Sequence, residues 1–363
     1  MELGTKHGGD VYAAARDLGK PVGKLLDFSA SINPLGPSSN VFRVLAKGRA
    51  WLSHYPDPDC WALKEALAAQ WSLAPTQLAV GNGSTELIDL LPRALGLRRA
   101  LIIGPTFSEY ACAVARVGGR STMLFARRSE GYRPPVERAI ARIRAMRKSR
   151  PLDAVFLCNP NSPTGQPCDP KDVLAIAWEA ESRGLWTIVD ESFVEYCEEV
   201  SVLPRLAECR RMIVLRSFTK FHALPGIRIG YAVAPETVVR RVMRHQPPWA
   251  VNTFAQLAAE AALSDRQHAA RSLRFVEKER ERFLARLSLV PGLNRFPSAA
   301  NFVLLELPRP RQAGWLTQAL RRRGILIRDC SGMRGLNRRT VRVAIRTRRD
   351  NDRLVEMLTT LLE

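Results

Sequence analysis

Between residues 60 and 235, short apolar runs alternate with stretches of helical spacing, and several of the runs stop at polar or glycine-rich text. Apolar runs bounded in this way read as strands buried on both faces. They are Gln77–Val80, Ala100–Ile103, Ser121–Phe125, Ala154–Cys158, Trp186–Val189, Met212–Leu215 and Ile229–Val233. The spacing predicts helices over Ala62–Trp71, Ser84–Leu95, Phe107–Val117, Pro134–Arg147 and Pro170–Arg183. Strands separated by helices make βαβ units, so the expected fold class is α/β, with a mainly parallel sheet and right-handed crossovers.

The flanks read differently. After residue 235 helices dominate, with a long charged one at Arg266–Leu287. Strands at Asn301–Glu306, Gly324–Arg328 and Thr340–Ile345, with helices at Trp315–Arg323 and Asn351–Leu362, then predict a smaller α+β unit. The first 45 residues are punctuated by Gly, Pro and Ser around one apolar stretch, Leu25–Phe28, and read as an extended arm. The expected division is an arm over 1–45 that joins the small domain and covers the site, a large domain over 46–250 and a small domain over 251–363.

Composition removes several classes. Hydrophobic residues at 46% and charged residues at 25% are too ordinary for a disordered chain. No apolar run approaches the ~18 residues of a spanning helix. Met1–Asp10 has no apolar segment of the secretory kind, so a cytoplasmic protein is expected. Seven cysteines without a CxxC pair read as reduced, mostly buried thiols, and five histidines without HExxH give no metal motif. Lys and Arg exceed Asp and Glu by 55 − 35 = 20. Such a field draws anions of any kind. No helix-turn-helix, zinc-finger or RNP pattern accompanies the charge, so nucleic acid is not an expected partner.

Open α/β sheets bind ligands beyond the carboxyl ends of their strands. After Val80 comes Gly81-Asn82-Gly83-Ser84-Thr85-Glu86, readable as an anion cradle at a helix start or as a plain turn with Ser84 or Thr85 as cap. After Cys158 comes Asn159-Pro160-Asn161-Ser162-Pro163-Thr164-Gly165, and Val189 runs into Asp190. The most informative segment is Leu215–Tyr231. Lys220 lies among apolar residues there, with Ser217 and Thr219 before it and Arg228 after it. Lysine beside apolar surface and other cations loses basicity, which suits Schiff-base chemistry. Ser217 and Arg228 fit a phosphate, and Asp190 fits a protonated ring nitrogen. Together these describe a pyridoxal-phosphate site.

With these residues in view, the chain resembles the fold-type I pyridoxal-phosphate enzymes, in the branch that contains histidinol-phosphate aminotransferase and threonine-phosphate decarboxylase. The resemblance runs over almost the whole chain. It includes His7-Gly8-Gly9-Asp10, the stretch from Asp27 to Gly36, His54-Tyr55-Pro56-Asp57-Pro58, both turns quoted above, Asp190-Glu191, the Lys220 segment and Val341-Arg342-Val343. It implies that pyridoxal 5'-phosphate is the cofactor, that Lys220 forms the Schiff base with it and moves protons, and that Asp190 pairs with the ring nitrogen. Ser84, Thr85, Ser217 and Arg228 would hold its phosphate, Phe107 would stack on the ring, and Ser162 would lie by its phenolic oxygen. Tyr55 would reach the partner subunit's cofactor, which implies a homodimer with shared sites. His7, Asn33, Gly36, Arg328 and Arg342 are the implied substrate-binding residues, with Arg342 on the α-carboxylate and His7 and Arg328 on a substrate phosphate.

Three departures from the branch stand out. Ser162 replaces the Asn usual before Pro-Thr-Gly, which leaves Ser162, a water or Asn161 to bond the phenolic oxygen. Ser31 stands where Asn is more common. Phe193 replaces the Tyr that aminotransferases of the branch carry three residues after the aspartate. Phe193, the His7-Gly8-Gly9 opening, the run from Phe221 to Gly226 and Arg328-Asp329-Cys330 resemble the decarboxylase. The implied reaction is loss of CO2 from L-threonine O-3-phosphate through the external aldimine, giving (R)-1-amino-2-propanol O-2-phosphate for cobalamin biosynthesis. The alternatives are an aminotransferase acting on histidinol phosphate or a related amino acid, and, more remotely, a non-catalytic regulatory or nucleic-acid-binding protein on the same fold.

Overall fold

A computed structural model of the chain describes residues 7–146 and 151–363. The first six residues of the expected arm, and Arg147 at the end of an expected helix, lie outside them. The N-terminal segment forms α1 (Val11–Leu18), β1 (Leu26–Asp27) and α2 (Ser39–Lys47). The alternating region follows as α3 (Trp61–Trp71), β2 (Leu78–Gly81), α4 (Ser84–Leu95), β3 (Arg99–Gly104), α5 (Glu109–Arg116) and β4 (Arg120–Phe125). It continues through α6 (Val136–Arg144), β5 (Ala154–Cys158), α7 (Pro170–Glu181), β6 (Trp186–Asp190), β7 (Met212–Ser217) and β8 (Gly230–Val233). Beyond it come α8 (Glu236–Met243), α9 (Thr253–Ser264), α10 (Arg266–Leu287), β9 (Asn294–Arg295), β10 (Phe302–Glu306) and α11 (Ala313–Arg322). The last elements are β11 (Ile325–Leu326), β12 (Arg328–Asp329), β13 (Thr340–Ala344) and α12 (Arg348–Leu362).

Seven strands make the large sheet, in the order β2-β8-β7-β6-β5-β3-β4. Successive residues feed opposite faces, as the strand period requires. Leu101, Ile103, Val155 and Leu157 pack into one helical layer, while Ala100, Ile102, Ala154 and Phe156 pack into the other. The sheet is mixed rather than wholly parallel, because β8 runs antiparallel to both neighbours. A parallel return needs a crossover, usually a helix. The Lys220 segment that links β7 to β8 contains no helix, so the chain turns straight back.

Register aligns the strand ends. Cys158 pairs with Asp190, Asp190 with Leu215, and Ser217 and Gly81 both with Gly230. The polar text after β2, β5, β6 and β7 therefore emerges along one edge. The smaller domain has a four-stranded sheet, β12-β13-β10-β9. Val303, Leu305, Val341 and Val343 pack there against Phe283 and Leu287 of α10 and Leu354 and Leu358 of α12.

Two expectations need correcting here. The arm is not simply extended, since it carries α1 and α2. Both lie in text punctuated by Gly, Pro and Ser, which hides them. Their caps define them: Asp10 accepts from Ala13 N, Gly19 closes α1 in the left-handed region, and Ser38 accepts from Asn40 N. The expected strand over Gly324–Arg328 splits, because its halves have different partners. β11 pairs in parallel with β1, and β12 pairs antiparallel with β13. The split ties the N-terminal segment to the small domain. Among the described residues no helix is long and apolar enough to cross a membrane.

Candidate active site

Lys220 lies in the loop that β7 releases. Ser217 Oγ accepts from Thr219 N at 3.3 Å and bonds Thr219 Oγ1 at 2.9 Å, which folds the start of the loop. The N-terminal segment holds its middle: Asn33 N donates to Lys220 O at 3.0 Å and Asn33 Nδ2 to Phe221 O at 2.8 Å. The Lys220 amine projects into a cavity of about 570 Å³ and lies 5.7 Å from the centroid of the Phe193 ring. Burial, with Arg342 and Arg228 nearby, lowers its pKa to about 8. An amine with that pKa is partly neutral near physiological pH, as a nucleophile must be.

Asp190 ends β6 and is buried, so its charge must be satisfied locally. Oδ2 accepts from the Tyr110 hydroxyl at 2.6 Å, and Oδ1 accepts from Ser192 N at 2.9 Å and Ser192 Oγ at 2.5 Å. Tyr110 is itself buried, stacked on Phe156 and set edge-on to Phe107. Burial and the neighbouring Asp190 push its hydroxyl pKa well up, so it stays a donor.

The turn after β2 makes an anion cradle. Gly83, not Ser84 or Thr85, is the cap residue of α4, at φ 82°, which frees both hydroxyl side chains to line the cavity. A side chain at Gly83 would meet the Arg228 guanidinium at 2.5 Å, and one at Gly230 would collide with Ser84 N. Both glycines let the helix start, β8 and Arg228 converge. Arg228 occupies the left-handed region at φ 62°, a strain that functional sites often hold. Helix N-terminus, hydroxyls and guanidinium together favour a phosphate.

The small domain supplies the facing wall. Arg342 donates from one terminal nitrogen to Ser162 Oγ at 2.8 Å and from the other to Ser29 O at 3.0 Å, and its Nε is buried without a partner among the described residues. Burial, with Arg328 beside it, lowers its pKa to about 10. Arg328 also lines the cavity, and no carboxylate among the described residues forms an ion pair with it. His7 reaches the mouth from the N-terminal segment, bonded to Glu109 at 3.0 Å and tilted on Phe107 at 5.4 Å between ring centroids.

The aminotransferase class I and II model matches residues 24–358. The chain belongs to that family. It is 37% identical to the threonine-phosphate decarboxylase of Salmonella typhimurium, over 99% of this chain and 97% of that one. The histidinol-phosphate aminotransferase structure from Clostridium acetobutylicum superposes with a TM-score of 0.86 at 29% identity, over 93% of this chain and 99% of the other. The L-threonine-O-3-phosphate decarboxylase structure from Porphyromonas gingivalis gives 0.82 at 27%, with the same coverage. The protein is a fold-type I enzyme that uses pyridoxal 5'-phosphate.

The residues present fit that family's cofactor. An amine of lowered basicity, a buried carboxylate held by three donors and a basic cradle that a glycine Cβ would fill share one cavity. Ser84, Thr85, Phe107, Ser162, Asp190, Ser217, Lys220, Arg228, His7, Arg328 and Arg342 all line it.

Other expected residues lie elsewhere. Asn33 and Gly36 are not among the residues that line this cavity. Both amide hydrogens of Asn33 are spent, on Phe221 O and on Ser272 Oγ, and Gly36 O bonds His268 Nε2. Their work is to pin the lysine loop and the segment before it. Tyr55 sits 78% exposed and stacked on Trp249, away from the cavity of its own chain. The Asn161 amide donates to Pro105 O and Thr164 Oγ1, so in this structure both of its hydrogens are engaged.

Tyr110 is a site residue that sequence reasoning missed. Its signal was available only as an aromatic at helical spacing after Phe107, which core packing also produces. Arg216 and Glu191, each next in the chain to a residue that lines the cavity, form a buried ion pair at 2.9 Å. Both sit in quoted motifs, yet nothing in the text pairs them.

Proposed function

We propose that the enzyme decarboxylates L-threonine O-3-phosphate to (R)-1-amino-2-propanol O-2-phosphate and CO2, as a step of cobalamin biosynthesis. The observation that carries this reading is the placement of Arg328 and Arg342. They are register partners on β12 and β13 and both line the cavity. Two adjacent cations suit a substrate that bears two anionic groups at once. Threonine phosphate has a carboxylate and a phosphate, whereas histidinol phosphate has no carboxylate. Phe193, which offers no hydroxyl to the cavity, and the 37% relative over nearly the full chain point the same way.

When bound, the cofactor ring supplies a sink for the electron pair left when a bond to the substrate's α-carbon breaks. Asp190 keeps the ring nitrogen protonated. Ser84, Thr85, Ser217 and Arg228 hold the cofactor phosphate, Phe107 packs on the ring, and Ser162 lies by its phenolic oxygen. Arg342 holds the α-carboxylate, while Arg328 and His7 hold the substrate phosphate. Two anchors on one rigid ribbon fix rotation about the α-carbon, and so decide which bond breaks. CO2 leaves, and Lys220 delivers the proton that replaces it on the α-carbon.

A second copy of the chain completes the assembly. Phe42, Trp51, Leu52, Tyr55 and Trp249 are large apolar side chains left exposed. Tyr55 and Trp249 stack on each other, and the same surface of a partner would cover them, with Tyr55 reaching the partner's cofactor phosphate.

The test supplies holoenzyme with threonine O-3-phosphate and no oxo-acid acceptor, and follows CO2. A parallel reaction pairs histidinol phosphate with 2-oxoglutarate. CO2 in the first and no amine exchange in the second supports the reading. The reverse pattern replaces it with transamination.

A further inference from the structure

A smaller lobe of about 130 Å³ opens beside the main cavity and shares His7, Phe107, Arg328 and Met333 with it. Ile102, Ala111 and Met123 form its apolar floor. Its rim carries Arg328 and Arg334, and no carboxylate lines it, whereas Glu109 and Asp190 both line the main cavity.

The charge needed there exceeds what the residues assigned above supply. A phosphate monoester carries −1.5 to −2 near pH 7. Arg342 is already assigned to the α-carboxylate. His7 is already bonded to the Glu109 carboxylate at 3.0 Å. Arg328 is then the one free cation among the assigned substrate residues, and a second must come from elsewhere.

Arg334 is placed to supply it. Its loop joins β12 to β13, the two strands that bear Arg328 and Arg342. The loop is closed by Cys330 N donating to Thr340 O at 3.1 Å and turned by Leu336 N donating to Met333 O at 3.1 Å. Gly335, at φ +91°, lies so near Phe125 that any side chain there would collide with the ring. Met333 and Leu336 pack against a buried cluster of Tyr132, Phe296, Leu304 and Cys330. The loop is thus anchored, and the Arg334 guanidinium stands 5.8 Å from the Phe125 centroid at the rim.

We infer that Arg334 is a specificity-determining residue, the second guanidinium that holds the substrate's phosphate at the rim of this lobe. The inference rests on the phosphorylated-substrate reading above. Two planar forks clamp a phosphate in a way that one point charge does not.

The experiment compares wild type, Arg334→Gln, Arg334→Lys and a control, Arg205→Gln, whose exposed arginine pairs with Glu208. Each holoenzyme is assayed with threonine O-3-phosphate and with L-threonine, and inorganic phosphate serves as competitor. The expected result for Arg334→Gln is a KM for the phosphorylated substrate about tenfold higher, with kcat little changed, which is the loss of one charge-assisted contact. The inhibition constant of inorganic phosphate should rise in parallel, threonine kinetics should stay put, and lysine should restore part of the loss. An unchanged KM, an equal rise in Arg205→Gln or an equal loss with threonine would overturn the inference while leaving the parent reading intact. A wild type that handles threonine as well as its phosphate would overturn both.

Discussion

Arg328 and Arg342 stand directly opposite each other across the antiparallel β12–β13 pair. Like charges in that relation are destabilising, and burial lowers the pKa of both guanidiniums. On the function proposed above, the arrangement gives up stability for anion binding. Replacing Arg328 with Gln should therefore raise stability by up to about 1 kcal/mol. The same change should raise KM for phosphorylated substrate and leave cofactor absorbance unchanged. Thermal melts beside steady-state kinetics check this. A variant that loses both stability and cofactor would show that Arg328 is structural.

The Lys220 pKa of about 8, against an ordinary 10.5, makes stability depend on pH. Between those values the unfolded chain holds a proton that the folded chain has lost, so the cofactor-free protein gains stability as pH rises through the window. Below about 8 both states are protonated and the penalty of burying the ammonium is felt in full. Lys220→Met should be more stable than cofactor-free wild type at pH 7, and the gain should fade from pH 8 towards 10.5. Urea unfolding across that range measures it, and a gain independent of pH would contradict it. The same variant should lack the cofactor's absorbance.

Tyr110 holds one oxygen of Asp190 at 2.6 Å. A hydrogen bond to a buried carboxylate contributes about 1.5–3 kcal/mol. Tyr110→Phe keeps the stacking on Phe156 and removes only that donor. Cofactor retention on dialysis should fall tenfold or more, by that energy, with the far-ultraviolet spectrum unchanged. Undiminished retention would mean that Ser192 alone positions the carboxylate.

Arg216 is fully buried, paired with Glu191, bonded to Ser201 Oγ at 2.7 Å and stacked over Trp71. Removing one member of a buried pair strands the other charge, at a cost of about 3–5 kcal/mol. Arg216→Met should lose that much in urea unfolding, and Arg216→Met with Glu191→Met should recover part of it. Equal losses in the single and double variants would show that packing against Trp71, not charge, sets the cost.

The strand-and-helix alternation was legible because the central strands β3, β5, β6 and β7 are largely buried apolar runs and many of the turns carry Gly, Pro or Asn. Ser84–Leu95 and Arg266–Leu287 span in the structure the residues that their spacing predicts. Lys220, Asp190 and Arg228 stood out because strand ends put them on one edge. The helices α1 and α2 were hidden by the Gly, Pro and Ser around them, and their caps mark them in the structure. Asn33 shows a different limit. A motif shows that a residue matters, while only its hydrogen bonds show that it holds the lysine loop. Tyr110 and the Arg216–Glu191 pair arise from contacts between distant segments, which no local pattern encodes.

The central claim is that the bond broken joins the α-carbon to the carboxylate, not to hydrogen. Running the holoenzyme with threonine O-3-phosphate in deuterium oxide, without an oxo acid, and weighing the product by mass spectrometry tests it most directly. The account predicts an aminopropanol phosphate that keeps its original α-hydrogen and gains one deuterium at the carbon that lost CO2. Recovered substrate whose α-hydrogen has exchanged for deuterium, with no CO2 formed, would contradict it.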